Sequence, residues 1–284
     1  MKALPIIGII IAVLLVAAGG LYFGLLRESD TVALLYVDSG EVQVDTGSGW
    51  NAAVDQMELS KNAKVKTLDG KASIVFFDQD VLTLQPNTEI ILSQLSSNNI
   101  EIDQKSGETW NRVEKLAGRE YTVSTPTSVA TVRGTGFILG DDYLDVDDGT
   151  VNFKDKETGT SEDVAEFESA KNRDGKLEKG KLDKDALLRI REKIEKEIEH
   201  LQTTRERIIE KNPFLLKRAE KMGFSREKIR QSLKDMDEGK ESIQDAQEKA
   251  PKIEKVQKVL RLTQRIANLQ EKLAKVNERI ASMQ

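Results

Sequence analysis

A multi-domain chain is predicted: an N-terminal transmembrane helix, an all-β region that is either rolled and solenoid-like or a sandwich, and a C-terminal α-helical coiled-coil region. Three observations predict it. No residue between positions 3 and 26 is charged. Through residues 32–153, short runs of β-branched and aromatic residues recur about every 8–12 residues, with Gly, Asp or Asn between them. From Val259 onward the apolar residues keep an unbroken 3-4-3-4 rhythm. The boundaries that follow are residues 1–27 for the anchor, 31–153 for the β region, 154–182 for a charged linker and 183–284 for the helical region.

At roughly 1.5 Å per residue, residues 3–26 would span roughly 36 Å as a helix, more than the roughly 30 Å of a hydrocarbon core. The alternative is a cleaved signal peptide, with Val16-Ala17-Ala18-Gly19 as its small-residue site. The apolar run continues past that site through Leu21-Tyr22-Phe23, which favours an uncleaved anchor. Lys2 and the α-amine lie on one side, whereas Arg27 on the other is offset by Glu28 and Asp30. That asymmetry places the amino end in the cytoplasm. The expected location is therefore the cell membrane, crossed once, with the bulk of the chain outside the cytoplasm.

The β region is organised around residues 121–137, Tyr-Thr-Val-Ser-Thr-Pro-Thr-Ser-Val-Ala-Thr-Val-Arg-Gly-Thr-Gly-Phe. Alternating residues break at Pro126, which cannot donate to a central ladder, and resume through Val129 and Val132. Gly134 and Gly136 then permit a sharp turn before Phe137. Three stretches, Ser39-Gly-Glu-Val, Leu68-Asp-Gly-Lys and Lys105-Ser-Gly-Glu, open similar strand pairs and suggest stacked β turns. Asp147-Asp148-Gly149 reads as a hairpin turn between strands at 144–146 and 151–153.

This pattern resembles the FecR domain, an extracytoplasmic module named after a ferric-citrate signalling regulator. The resemblance rests on Thr67-Leu68-Asp69-Gly70 with Ile74 and Phe76, on Leu84-Gln85-Pro86-Asn87-Thr88, and on residues 100–110 with Gly107. It closes on Val123-Ser124-Thr125-Pro126 and Val132-Arg133-Gly134-Thr135-Gly136-Phe137, its most specific part. Asp78-Gln79-Asp80 departs from it, since the family usually turns there on Asp-Gly. The resemblance covers roughly residues 32–153 and implies a rolled or solenoid-like β fold. Regulators similar to the founding member carry a cytoplasmic anti-sigma segment before the membrane helix. Only Met1 and Lys2 precede the apolar run here, so that activity is not carried over.

Residues 154–181 lose apolar content while charges of both signs alternate with Gly, Ser and Thr, hence the linker. Helical signals follow. Asp183 or Asp185 is a cap for a helix with Leu187, Ile190, Ile194, Leu201 and Ile208 on one face. Asn212-Pro213 ends it, and Ser225 caps a shorter helix with Ile229, Leu233 and Met236. Pro251 opens the longest helix, whose coiled-coil seam is Val259, Leu262, Ile266, Leu269, Leu273, Val276 and Ile280. Lys258, Arg265, Lys272 and Arg279 flank one side, and Thr263, Gln270 and Asn277 the other. A parallel homodimer would gain no interchain salt bridge from that arrangement. An antiparallel hairpin with the helix at 184–211, or pairing with an acidic partner, is at least as well matched. Self- and hetero-association through the seam both stay open.

Composition narrows the chemistry. The chain has no cysteine, which removes disulfides, thiolate metal sites and cysteine nucleophiles together. Residues 27–153 carry 10 basic and 21 acidic side chains, and residues 182–284 carry 25 and 19. With a pI near 5.3 there is no basic stripe, so nucleic acid is not an expected partner. The single histidine, His200, has no neighbouring ligand or triad partner. Asp141, Asp142, Asp145, Asp147 and Asp148 are dense but lack the order of a calcium loop. Gly47-Ser48-Gly49 is not a nucleophile elbow, and the glycines at 134 and 136 are not a phosphate loop. No catalytic residue, cofactor or metal is expected.

The expected function is thus binding: an envelope signalling or scaffold component acting by protein contact, with a glycan or small-ligand sensor as the alternative. Candidate interaction residues are Trp50, Trp110, Arg133 and Thr135. Each tryptophan follows a glycine-containing turn, and reads more readily as a plug of a repeated β unit than as a sugar platform.

Overall fold

The computed structural model describes residues 33–77, 80–115, 119–213, 217, 225–249 and 253–283. The chain divides into two compact units, Met1–Lys181 and Leu182–Gln284. The expected anchor at residues 3–26 lies outside the described residues, as do Asp78, Gln79 and Pro251. No helix among the described residues is long and apolar enough to cross a membrane. The expected fold class is corrected: the described chain is two large sheets packed as a sandwich, followed by a helical unit whose seam closes within the chain.

In chain order the first strands are β1 Ala33–Ser39, β2 Val42–Asp45, β3 Asn51–Ala52, β4 Met57–Glu58, β5 Lys64–Thr67 and β6 Lys71–Phe76. Then come β7 Asp80–Leu84, β8 Glu89–Leu95, β9 Asn99–Ser106, β10 Thr109–Arg112, β11 Glu120–Ser124 and β12 Ser128–Val132. The last are β13 Gly136–Leu139, β14 Tyr143–Asp148, β15 Thr150–Asp155, β16 Ser161–Ala165, β17 Glu168–Arg173 and β18 Lys176–Lys181. They form two nine-stranded sheets, ordered β18-β17-β14-β13-β10-β7-β6-β1-β4 and β16-β15-β12-β11-β9-β8-β5-β2-β3.

The chain winds between the sheets. After β5 it lays β6 and β7 in the first sheet, β8 and β9 in the second, β10 in the first, β11 and β12 in the second, and so on to β18. Side-chain alternation makes this winding possible. In β6, Ala72, Ile74 and Phe76 point inward and are buried, while Lys71, Ser73 and Val75 point out. Leu35, Ile74 and Leu82 of the first sheet meet Val65, Ile90, Ile100 and Val123 of the second in one core. Burying such side chains contributes roughly 1.5–3 kcal/mol each.

Glycine sits at several of the points where the chain crosses between sheets. The three similar stretches seen in the sequence are such crossings: Gly40 links β1 to β2, Gly70 links β5 to β6, and Gly107 links β9 to β10. Gly40 has φ +61°, and a Cβ there would stand 2.5 Å from the Cα of Gly70. Asp148, Gly149 and Thr150 also cross from one sheet to the other, because β14 and β15 belong to different sheets. The expected hairpin at that point is corrected to a corner.

The expected linker is corrected too. Residues 161–181 form β16, β17 and β18, which continue both sheets. Val164 and Ala170 reach the core, whereas β18, Lys-Leu-Glu-Lys-Gly-Lys, is almost wholly exposed. A lysine-rich strand at a sheet edge discourages pairing with another chain.

The second unit is helical: α1 Lys184–Glu210, α2 Arg226–Asp237, α3 Ile243–Lys249 and α4 Glu254–Ala281. Asp183 caps α1 by accepting from Ala186 N at 2.7 Å, and Ser225 caps α2 by accepting from Lys228 N at 3.3 Å. In α4, Leu262, Ile266, Leu269, Val276 and Ile280 are buried, with Val259 and Leu273 partly so. This seam does not await another chain. It packs on α1, whose Leu187, Ile190, Ile194, Ile198 and Leu201 are buried in turn. Arg265 pairs with Glu197 and Thr263 with Arg205, so residue numbers rise along one helix as they fall along the other and the pair is antiparallel. Met236, Ile243 and Leu260 form a second cluster where α2 and α3 meet α4.

Candidate interaction site

Trp50, Trp110, Arg133 and Thr135 are the positions the sequence singles out, and the structure divides them. Arg133, Gly134 and Thr135 form the corner between β12 and β13. Gly134 has φ +115°, and a Cβ there would stand 2.7 Å from Lys115 Cα, so a side chain is excluded on both counts. Thr135 is buried; its carbonyl accepts from Val113 N at 3.0 Å and its hydroxyl donates to the Thr150 carbonyl at 3.2 Å.

Gly136 faces Arg112 across the ladder. A side chain at Gly136 would overlap Arg112 Nη1 and stand 2.7 Å from Asp147 Oδ1. The missing side chain leaves room for an ion pair, Arg112 Nη2 to Asp147 Oδ2 at 2.7 Å, with the Asp147 side chain fully buried. The same guanidinium lies 4.8 Å from the centroid of Trp110, which is 5% exposed. Trp110 and Thr135 are therefore framework residues. Arg133 is the exposed member of the corner.

Behind β10 runs a buried polar line. Tyr121 donates to Asn111 Oδ1 at 2.9 Å, Asn111 donates to Thr109 Oγ1 at 3.0 Å, and Thr109 donates to Gln104 Oε1 at 2.8 Å. Gln104 ends it by donating to the carbonyls of Gly107 and Leu139. Burial, with a smaller contribution from Asp80, holds the Tyr121 phenol well above its ordinary range. Asp80 itself accepts from Glu114 N at 2.8 Å and from Arg119 Nη1 at 2.6 Å, which ties both residues to the start of β7.

Trp50 lies elsewhere, beside β3 at one end of the second sheet. Asp45 ends β2, and its Oδ1 accepts from Gly47 N at 2.8 Å and Gly49 N at 3.0 Å, while Lys64 Nζ reaches its Oδ2 at 3.1 Å. The Gly47 hydrogen bond first, then Lys64, holds the Asp45 carboxyl below the ordinary carboxylate range. This turn presents Trp50 at 37% exposure, with Lys66 Nζ 4.4 Å from the ring centroid. Val54 is 68% exposed. These two are the exposed large hydrophobics of the β unit among the described residues. The backbone nearby is closed to strand addition: β3 and β4 have two residues each, and the Val37 N–H beyond the β4 ladder donates to Asp55 Oδ1 at 3.1 Å. A partner would meet side chains here.

The aspartates of residues 141–148 are dispersed. Asp145 and Asp147 are buried, and Asp141 accepts from Gly107 N at 2.9 Å. Among the described residues no group of His, Cys, Asp or Glu is arranged to hold a metal. His200 is exposed on α1. The sequence reading missed Val54 and Lys66, and also the Arg112–Asp147 pair. An isolated valine in Asn51-Ala-Ala-Val-Asp-Gln is the one local signal that could have found the first.

Residues 63–153 match the family model described as FecR protein. Two crystal structures of a candidate anti-sigma factor from Parabacteroides distasonis ATCC 8503, at 2.50 and 1.65 Å resolution, are similar to the chain at 18% identity and a TM-score of 0.38. Each similarity covers 42% of this chain and 60% of that one, so the chain spans less than two thirds of that protein. No curated protein matches the chain. Trp110, Arg133 and Thr135 fall inside the matched residues, and Trp50 and Val54 fall outside them.

Proposed function

From the premise that the chain carries a FecR domain over residues 63–153, we propose that it is a regulatory component of envelope signalling, acting outside the cytoplasm by binding another protein and not by catalysis. The domain match carries this reading. The site supports it in kind: exposed Trp50 and Val54 on a turn held by Asp45, and exposed Arg133 on a glycine-fixed corner, are surfaces for contact. Asp147, one of the clustered aspartates, is held in an ion pair with Arg112.

Two surfaces separate by one experiment. A photoreactive residue placed at Val54, and another at Arg133, should capture a specific partner in the native cell from one position and not the other. Capture from Val54 that W50A abolishes, with the fold unchanged, would identify the docking face. Absence of any specific product from both positions would remove the reading. The location is tested separately by protease added to spheroplasts, which should cleave the β unit.

A second reading, a sensor of cell-envelope glycan or a small ligand, is favoured by the exposed Trp50 ring, since stacking needs an accessible aromatic face. Calorimetric titration with cell-wall fragments decides it: heat that disappears in W50A supports the sensor, and no heat leaves protein contact.

A further inference from the structure

The helical unit has a polar cluster where its pattern calls for an aliphatic side chain. Along α1 the buried positions run Leu187, Ile190, Ile194, Ile198, Leu201 and then Arg205. Arg205 is 5% exposed, and its guanidinium forms a two-pronged pair with Asp237 at the end of α2, Nη1 to Oδ1 at 2.5 Å and Nη2 to Oδ2 at 2.6 Å. Nη1 also donates at 3.0 Å to Thr263 Oγ1 of α4, which is fully buried and donates in turn to the Val259 carbonyl at 2.9 Å. Three helices thus meet at one guanidinium.

The aliphatic seam alone does not say where α1 must stop along α4. Leu262, Ile266, Leu269, Leu273, Val276 and Ile280 are near-equivalent knobs, and a shift of one heptad, about 10 Å at 1.5 Å per residue, sets aliphatic residues against aliphatic residues again. The polar cluster has no such degeneracy. A shifted α1, or a helix of other sequence taking its place, would leave the buried Asp237 carboxylate and Thr263 hydroxyl without the guanidinium. A buried charge deprived of its partner is strongly disfavoured, whereas replacing both partners with apolar groups is often neutral.

We propose that Arg205, Asp237 and Thr263 are a register lock: they commit the α4 seam to α1 in one alignment, and so keep it from pairing in a slipped register or with a helix that lacks the arginine. The proposal concerns the helical unit and does not depend on the reading of the β unit.

The chain has no cysteine, which makes a direct test clean. Glu195 on α1 and Asn277 on α4 line one groove between the two helices. In the full-length protein, E195C/N277C treated with a short bis-maleimide should give mainly intrachain product. In that background R205M/D237L should stay helical and melt no lower than its parent, while intrachain product falls several-fold and slipped products appear. R205M alone should lose both intrachain product and thermal stability. Unchanged crosslinking in R205M/D237L would overturn the lock. Failure of R205M/D237L to fold would overturn it as well, because the cluster would then be a requirement of folding and not a choice among alignments.

Discussion

Arg112 and Asp147 form a buried ion pair at 2.7 Å across the space left by Gly136. Removing one partner strands the other charge. D147A should therefore destabilise the β unit by about 3–5 kcal/mol, read from urea unfolding. R133A, in the neighbouring exposed corner, should change stability by less than about 0.5 kcal/mol. Equal effects from the two would show that the buried pair is not the anchor of this corner.

Gly40 and Gly70 impose a different constraint, because the atoms in the way belong to backbone. A Cβ on Gly70 would stand 2.8 Å from Glu41 N and also press on the Ser39 carbonyl. G70A should cost about 2–4 kcal/mol, within the range of overpacking and backbone strain. G49A, where nothing lies within 4 Å and only the positive φ matters, should cost about 1 kcal/mol. Circular-dichroism melts of the two variants give the comparison.

Tyr121 connects the core to alkaline stability. Its folded-state pKa is raised by burial, so the fold holds the proton while the unfolded phenol ionises near 10. The stabilisation is complete below pH 10 and is lost as pH rises above it. Y121F should remove that alkaline limb. It should also cost about 1–3 kcal/mol at neutral pH by leaving Asn111 Oδ1 without its donor.

Asp45 gives the opposite sign. Its carboxyl is held below 3.8, chiefly by the Gly47 N–H and then by Lys64. The turn it braces is fully held above that pH and loosens as pH falls through the lower folded-state value. Trp50 fluorescence should report the change with a midpoint below pH 3.8, and D45N should abolish the transition.

Much of the β unit was legible from residue alternation: Ala72, Ile74 and Phe76, then Leu82 and Leu84, declare their inward face. The crossings were legible too, since a glycine recurs at the same step of three stretches. Residues 161–181 were not, because edge strands bury little; only Val164 and Ala170 of that stretch enter the core, and alternating charges resemble a linker. The turn at Asp148-Gly149 was mistaken for a hairpin because a sharp bend within a sheet and a corner between sheets use the same residues. Trp110 and Trp50 follow similar turns yet differ in exposure. Trp110 lies on β10, between two strands and against Arg112, whereas Trp50 lies beside β3 at the end of its sheet, and the strand order behind that difference leaves no local trace. In the helical unit the periodicity announced an apolar seam, while its alignment rests on Arg205, a residue that breaks the pattern.

The winding of the chain between its two sheets has a bearing on how such a protein changes length. Because each coil is bonded only to the coil before and the coil after, a whole coil is a unit that evolution is free to append at an open end without disturbing the alignments already made. The family match stops at residue 153, and β16, β17 and β18 lie beyond it as the last coil, which ends on an exposed, lysine-rich strand.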